Sequence, residues 1–183
     1  MKRAEALMAI NSNVANQNLV KHMLATEAVM RGLARRLGGD EEEWGMAGLL
    51  HDIDVEVTEG DMSRHSREGA EMAKNLGASH AVAHAILCHN ERHGENCDTL
   101  MDKALFCADP LTGLITAAVL VRPDRQISGI EAKSVKKRFK ERGFAAGASQ
   151  ENIDTCTEIG MTREEFVGLG LDAMKGIAED LGL

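Results

Sequence analysis

Apolar side chains recur every three or four positions along most of this chain, a period that predicts helices rather than strands. Leu19, His22, Met23, Thr26, Val29, Met30, Leu33 and Leu37 share one stripe and predict a helix over 17–37. Gly38-Gly39 ends it, and Asp40 is placed to cap a second helix whose first turn holds Glu41, Glu42 and Glu43. That helix carries Trp44, Met46, Ala47, Leu49 and Leu50 into His51-Asp52. A polar segment over 54–64 reads as a loop. Short helices follow over 66–76 and 79–90, broken at Gly77, and the stretch 99–120 is apolar enough to be central. After a turn at Arg122-Pro123-Asp124, three more helical patterns cover 130–142, 150–158 and 162–181. The last opens on Thr162 and Glu165 in capping-box spacing. No alternating run and no internal repeat competes, so the pattern predicts an all-α bundle of about eight or nine helices in one domain over 1–183.

Composition changes this picture little. At 183 residues the chain can bury a real core, and with one Trp, four Phe and no Tyr that core is aliphatic. The formal net charge of −8 argues against a broad basic face, so neither nucleic acid nor an anionic membrane is an expected partner. Bound divalent cations would reverse that sign locally. The four cysteines, Cys88, Cys97, Cys107 and Cys156, form no CxxC pair, and reduced thiols in the cytoplasm are the simplest reading. No apolar stretch is expected to reach the length of a membrane span, and the start lacks a secretory pattern.

The chemistry lies in where the histidines fall. His22 sits among the apolar positions of the first long helix, and His51-Asp52 closes an apolar one. His65 opens a helix, His89 closes another, and Asp109 lies late in the apolar run Ala104-Leu-Phe-Cys-Ala-Asp. Polar groups buried this way need partners, and a divalent metal bound by imidazole and carboxylate satisfies them together.

The order His22, then Leu49-Leu-His51-Asp52-Ile-Asp54, then Asp109 resembles the H…HD…D pattern of the HD superfamily of metal-dependent phosphohydrolases. The LLHDI form is similar to its HDIG-type subset, with Asp54 in place of the glycine. His65-Ser-Arg-Glu-Gly69-Ala resembles a helix start of members with two metals. The run Ala85-Ile-Leu-Cys-His89-Asn-Glu resembles their next ligand helix, with Asn90 where a second histidine often stands. The resemblance covers about 15–115 and leaves the helices of 130–181 to complete the core or form an interface. It implies six ligands, His22, His51, Asp52, His65, His89 and Asp109, around two divalent ions, Mn or Fe foremost, with Zn, Co and Ni allowed. Asp52 is the candidate bridge and a candidate catalytic residue. The ions would clamp a phosphoryl group and generate hydroxide near neutral pH.

Lys103, six residues before Asp109, is a candidate catalytic and phosphate-binding cation, and Arg64 and Arg67 beside His65 are candidate phosphate contacts. The expected activity is hydrolysis of a phosphate ester or anhydride in a small metabolite or nucleotide, with a homodimer allowed. The alternatives are a di-iron oxygenase on the same ligands and a regulatory module that binds a nucleotide without turnover. Neither i,i+4 pair, His80/His84 or His89/His93, reads as a separate metal site: His80 and His84 read as surface or packing residues, and His93 falls in the polar loop over 91–95. The run from Lys133 to Arg142 reads as a solvated helix face with Val135 and Phe139 as its packing stripe. Cys88 and Cys107 read as small buried hydrophobes.

Overall fold

Caps and stripes set the helices of this chain largely where the pattern puts them. The computed structural model describes residues 1–141 and 143–183. Among these lie ten α-helices and no strand: α1 (Arg3–Asn13), α2 (Gln17–Leu37), α3 (Glu41–Leu50), α4 (Arg67–Asn75), α5 (His80–Cys88), α6 (Leu100–Leu120), α7 (Ala132–Arg138), α8 (Gln150–Asp154), α9 (Arg163–Lys175) and α10 (Ala178–Leu181). Gly38 ends α2 in the left-handed conformation, Asp40 accepts from the Glu43 amide at the start of α3, and Thr162 and Glu165 form the capping box of α9.

Four differences stand out. The helix α1 is absent from the sequence reading. It is held by Ala6 and Ile10, one turn apart and both buried, and by Arg3, which pairs with the buried Glu27 of α2. The pattern over 162–181 breaks into α9 and α10 near Gly176, and the one over 150–158 finishes as a 3-10 turn. The expected helix over 130–142 ends at Arg138; Arg142 lies outside the described residues.

The longest apolar helix, α6, is the axle of the bundle. It packs against α2, α5, α8 and α9, and buries Leu105, Leu111, Leu114 and Ile115. Its 21 residues are long and apolar enough to cross a membrane, which corrects the expectation that no stretch approaches that length. Here that apolar surface is the core. The C-terminal helices join the same core, with α9 laid along α2 and Phe166 fully buried.

One close approach positions the functional residues. A Cβ on Gly48 of α3 would lie 2.7 Å from the Thr26 carbonyl oxygen of α2, so the two backbones meet with no room for a side chain. His22 stands one turn before Thr26, and His51 follows Gly48 by three residues. The crossing therefore sets the distance between the two rings. Gly48→Ala is expected to destabilise the metal-free protein by about 1–3 kcal/mol, because backbone must move to admit the methyl. Denaturant titration checks this, and a midpoint unchanged from wild type would show that the crossing has slack.

Candidate metal centre

Five segments converge on one side chain. Asp52 follows α3, and its Oδ2 lies 3.6 Å from His22 Nε2 and 3.4 Å from His51 Nε2. Its other oxygen, Oδ1, lies 3.5 Å from both His65 Nε2 and His89 Nε2. His22 and His51 approach each other to 3.1 Å, and His65 and His89 to 3.2 Å. Asp109 completes the first group, with Oδ1 at 2.9 Å from His22 Nε2 and 3.7 Å from His51 Nε2. The carboxylate of Asp52 thus faces two imidazole pairs, one with each oxygen. All six residues named from the sequence meet here.

Each ring is anchored on its far side. His51 Nδ1 lies 2.8 Å from the Gly48 carbonyl oxygen and His89 Nδ1 2.6 Å from that of Ile86. In its neutral form each ring would therefore carry its proton on Nδ1 and aim the Nε2 lone pair into the cluster. His22 Nδ1 meets the Thr112 hydroxyl at 3.0 Å, and His65 Nδ1 meets Asp54 Oδ1 at 2.8 Å. Neutral imidazoles so oriented, with two carboxylates among them, are a donor set that fits divalent metal. Donor atoms of His22, His51 and Asp109, and again of His51, Asp52 and His89, all lie within 4.8 Å of one another.

Asp54 has a role that sequence reasoning missed. It is fully buried, and its Oδ2 accepts from the backbone amides of Ser66, at 2.8 Å, and Gly69, at 2.7 Å. The residue that departs from the HDIG form therefore fixes the start of α4 and the His65 ring together. Gly69 is required by the same contact, since a Cβ there would stand 3.0 Å from the Asp54 carboxyl carbon.

Charge in the cluster follows proximity more than burial. Burial alone would lower the His51 pKa, yet Asp52 and Asp109 hold it well above the ordinary imidazole value. Burial likewise works to raise the pKa of Asp52 and Asp109, but the neighbouring histidines keep both well below the usual carboxylate range. For His65, burial is outweighed by Asp54 and Asp52, and its pKa rises.

The cleft above the cluster has a volume of about 350 Å³. Asp52, His65, His89 and Asp109 form its floor, Arg92 lines one side, and Ser149 and Asn152 come from the C-terminal half. The three expected phosphate contacts are directed elsewhere. Lys103 points to Glu158, at 3.4 Å, because six residues along a helix turn a side chain well away from Asp109. Arg64 forks onto Glu68, and Arg67 Nε lies 3.0 Å from His93 Nδ1. Arg92 is instead the one arginine or lysine among the described residues that line the cleft, and its position two residues past Asn90 was the available signal. In the basic run, Lys133, Lys136 and Arg138 pair with Glu131, Glu164 and Glu141, while Val135 is buried, as on a solvated face.

The HD-domain family model matches residues 19–118, the span that carries His22, His51, Asp52, His65, His89 and Asp109. The chain belongs to the HD-domain family. It is similar to the protein named ribonuclease Y from Sulfurovum sp. (strain NBC37-1), 32% identical over 89% of this chain and 32% of that protein. Ribonuclease Y from Geobacter sulfurreducens is also 32% identical, over 91% of this chain and 32% of the relative. That from Chloroflexus aurantiacus is 32% identical over 74% of this chain and 27% of the relative. The chain spans about a third of the length of these curated relatives. No solved structure matches it. The family and these relatives support a hydrolase and a divalent metal site. They overturn the expectation that nucleic acid is not a partner, which rested on net charge alone, and give no support to a small nucleotide as substrate.

Two outcomes follow from the cluster. Asp54→Ala removes the acceptor for His65 and for two buried amides, and is expected to weaken divalent-metal binding at the cluster by about 10- to 100-fold. Calorimetric metal titration that shows the affinity unchanged would contradict that role. The metal must also displace protons from His51 and His65, whose raised pKa values extend protonation above about 6.5, the ordinary imidazole value. Affinity should therefore climb as pH rises through and beyond that value; a flat profile would show that neither ring is protonated in the metal-free protein.

Proposed function

We propose that this chain is a two-metal phosphodiesterase unit that cleaves RNA. The observation that carries the reading is Asp52, each of whose oxygens faces a separate pair of imidazoles. His22, His51, Asp52 and Asp109 would hold one ion, and Asp52, His65 and His89 the other. Imidazole mixed with carboxylate suits Mn or Fe. When bound, such a pair supplies Lewis-acid stabilisation of a phosphodiester and a nucleophile at neutral pH.

The remaining roles belong to the protein's own side chains. Gly48, Ile86, Asp54 and Thr112 keep the four rings in one orientation, so no reorganisation is needed when substrate arrives. Arg92 offers a guanidinium to a phosphate lying over the cluster, and Ser149 and Asn152 offer hydrogen bonds from the C-terminal half of the chain. A cleft lined from both halves of the chain and open to solvent suits an extended strand. Similarity to proteins named ribonuclease Y supports RNA among phosphodiesters.

The test is cleavage of an end-labelled single-stranded RNA by protein reconstituted separately with Mn and with Fe. Metal-dependent cutting is expected, falling to the metal-free background in Asp52→Ala with helicity retained by circular dichroism. Intact RNA with fully metal-loaded wild type, or cutting by Asp52→Ala at the wild-type rate, would refute the reading. Arg92→Ala is expected to raise KM more than it lowers kcat, and to reduce the salt slope of RNA binding by about one. Unchanged binding in that variant would remove Arg92 from the phosphate path.

A further inference from the structure

Outside the cluster around Asp52, a second set of ligand-type side chains meets where α5 and α6 approach. His84 and Cys88 lie one turn apart on α5, with Sγ 3.5 Å from His84 Nδ1. Asp102, in the first turn of α6, places Oδ2 3.1 Å from the same Nδ1. Donor atoms of these three residues lie within 4.8 Å of one another. Cys97, in the connection between the helices, lies beside this three-residue group, with its Sγ 3.9 Å from the Cys88 carbonyl oxygen. All four cysteines are free thiols.

An unmet valence marks this group. Asp102 is fully buried, and its Oδ2 accepts from the amides of Asp98, at 3.1 Å, and Thr99, at 2.9 Å, as a helix cap would. Its Oδ1 is also buried and has no hydrogen-bond partner among the described residues. A helix cap leaves that oxygen unexplained, since a buried carboxylate oxygen without a donor or cation is costly. Two sulfurs, one imidazole and one carboxylate form a closed, borderline-soft set, the chemistry of structural zinc rather than of the cleft ions. Zinc bonds of about 2.3 Å to sulfur and about 2.1 Å to nitrogen set those atoms roughly 3.6 Å apart at a tetrahedral angle, and the His84–Cys88 separation is 3.5 Å.

We propose that His84, Cys88, Cys97 and Asp102 form a structural zinc site, separate from the cleft, that pins the connection over 89–99 to both helices. Binding releases the two thiol protons to solvent and leaves thiolates on the ion. The pinned connection carries His89 and Arg92, so the site braces one wall of the cleft without touching substrate.

The test is Co(II) titration of the reduced, metal-free full chain. Among the described residues no cysteine lines the cleft, so a near-ultraviolet thiolate-to-cobalt charge-transfer band reports the second site alone. The band is expected to saturate at one equivalent, to persist in Asp52→Ala, and to disappear when Zn is added. It should weaken in Cys97→Ser, a half-buried position whose replacement circular dichroism can show to be folded, and be absent from the Cys88→Ser/Cys97→Ser double variant. No thiolate band in wild type, or a band that Cys97→Ser leaves unchanged, would overturn the assignment.

Discussion

A carboxylate held among four imidazoles is the constraint to which this fold answers. Asp52 has a side chain only 13% exposed, and an anion so placed needs partners at fixed positions. Those partners arrive from separate parts of the chain: His22 from α2, His51 from the end of α3, His65 from before α4 and His89 from after α5. Asp109 comes from mid-α6. The helices are spacers that bring these positions to one point. The residues with least tolerance are therefore those at the crossings, above all Gly48, where α2 and α3 touch backbone to backbone.

The rings are steadied in two ways, and the difference divides the cluster. His51 and His89 each anchor to a carbonyl three residues earlier, so their orientation is inherited from their own helix end. His22 and His65 anchor to Thr112 and Asp54, which only the folded chain brings near. One ring of each pair is thus set locally and the other by tertiary structure. Metal binding and docking of the elements must be coupled for that reason, because each ion would need one ring of each kind.

Legibility in the sequence follows the same division. His22, His51, Asp52, His65, His89 and Asp109 could be named because residue type, helix period and order along the chain coincide at those positions. Lys103 was misplaced because proximity along a helix is not proximity in space; a six-residue step carries it around to Glu158. Asp54 looked like a missing glycine, and its value lies in contacts with Ser66, Gly69 and His65 that no local pattern shows. Ser149 and Asn152 reach the cleft only through the packing of α8 against α6. His84 and Cys88 were read as packing residues, since neither His80/His84 spacing nor a lone cysteine points to Asp102.

Net charge misled the reading of partners for a physical reason. Much of the acidity sits where helices use it: Glu41, Glu42 and Glu43 open α3, and Glu164 and Glu165 open α9. Other acids are paired, Glu27 with Arg3 and Arg31, Glu68 with Arg64, Glu141 with Arg138. None of these residues lines the cleft. There the fixed charges are Asp52 and Asp109 on the floor, with Glu91 and Arg92 on the wall. Two divalent cations on that floor would exceed the charge of its two carboxylates, so under the proposed function the surface a phosphate meets first would be positive although the chain as a whole is acidic. A sum over residues describes solubility and long-range drift; the field in a cleft is set by what lies within a Debye length of it, about 8 Å at physiological salt.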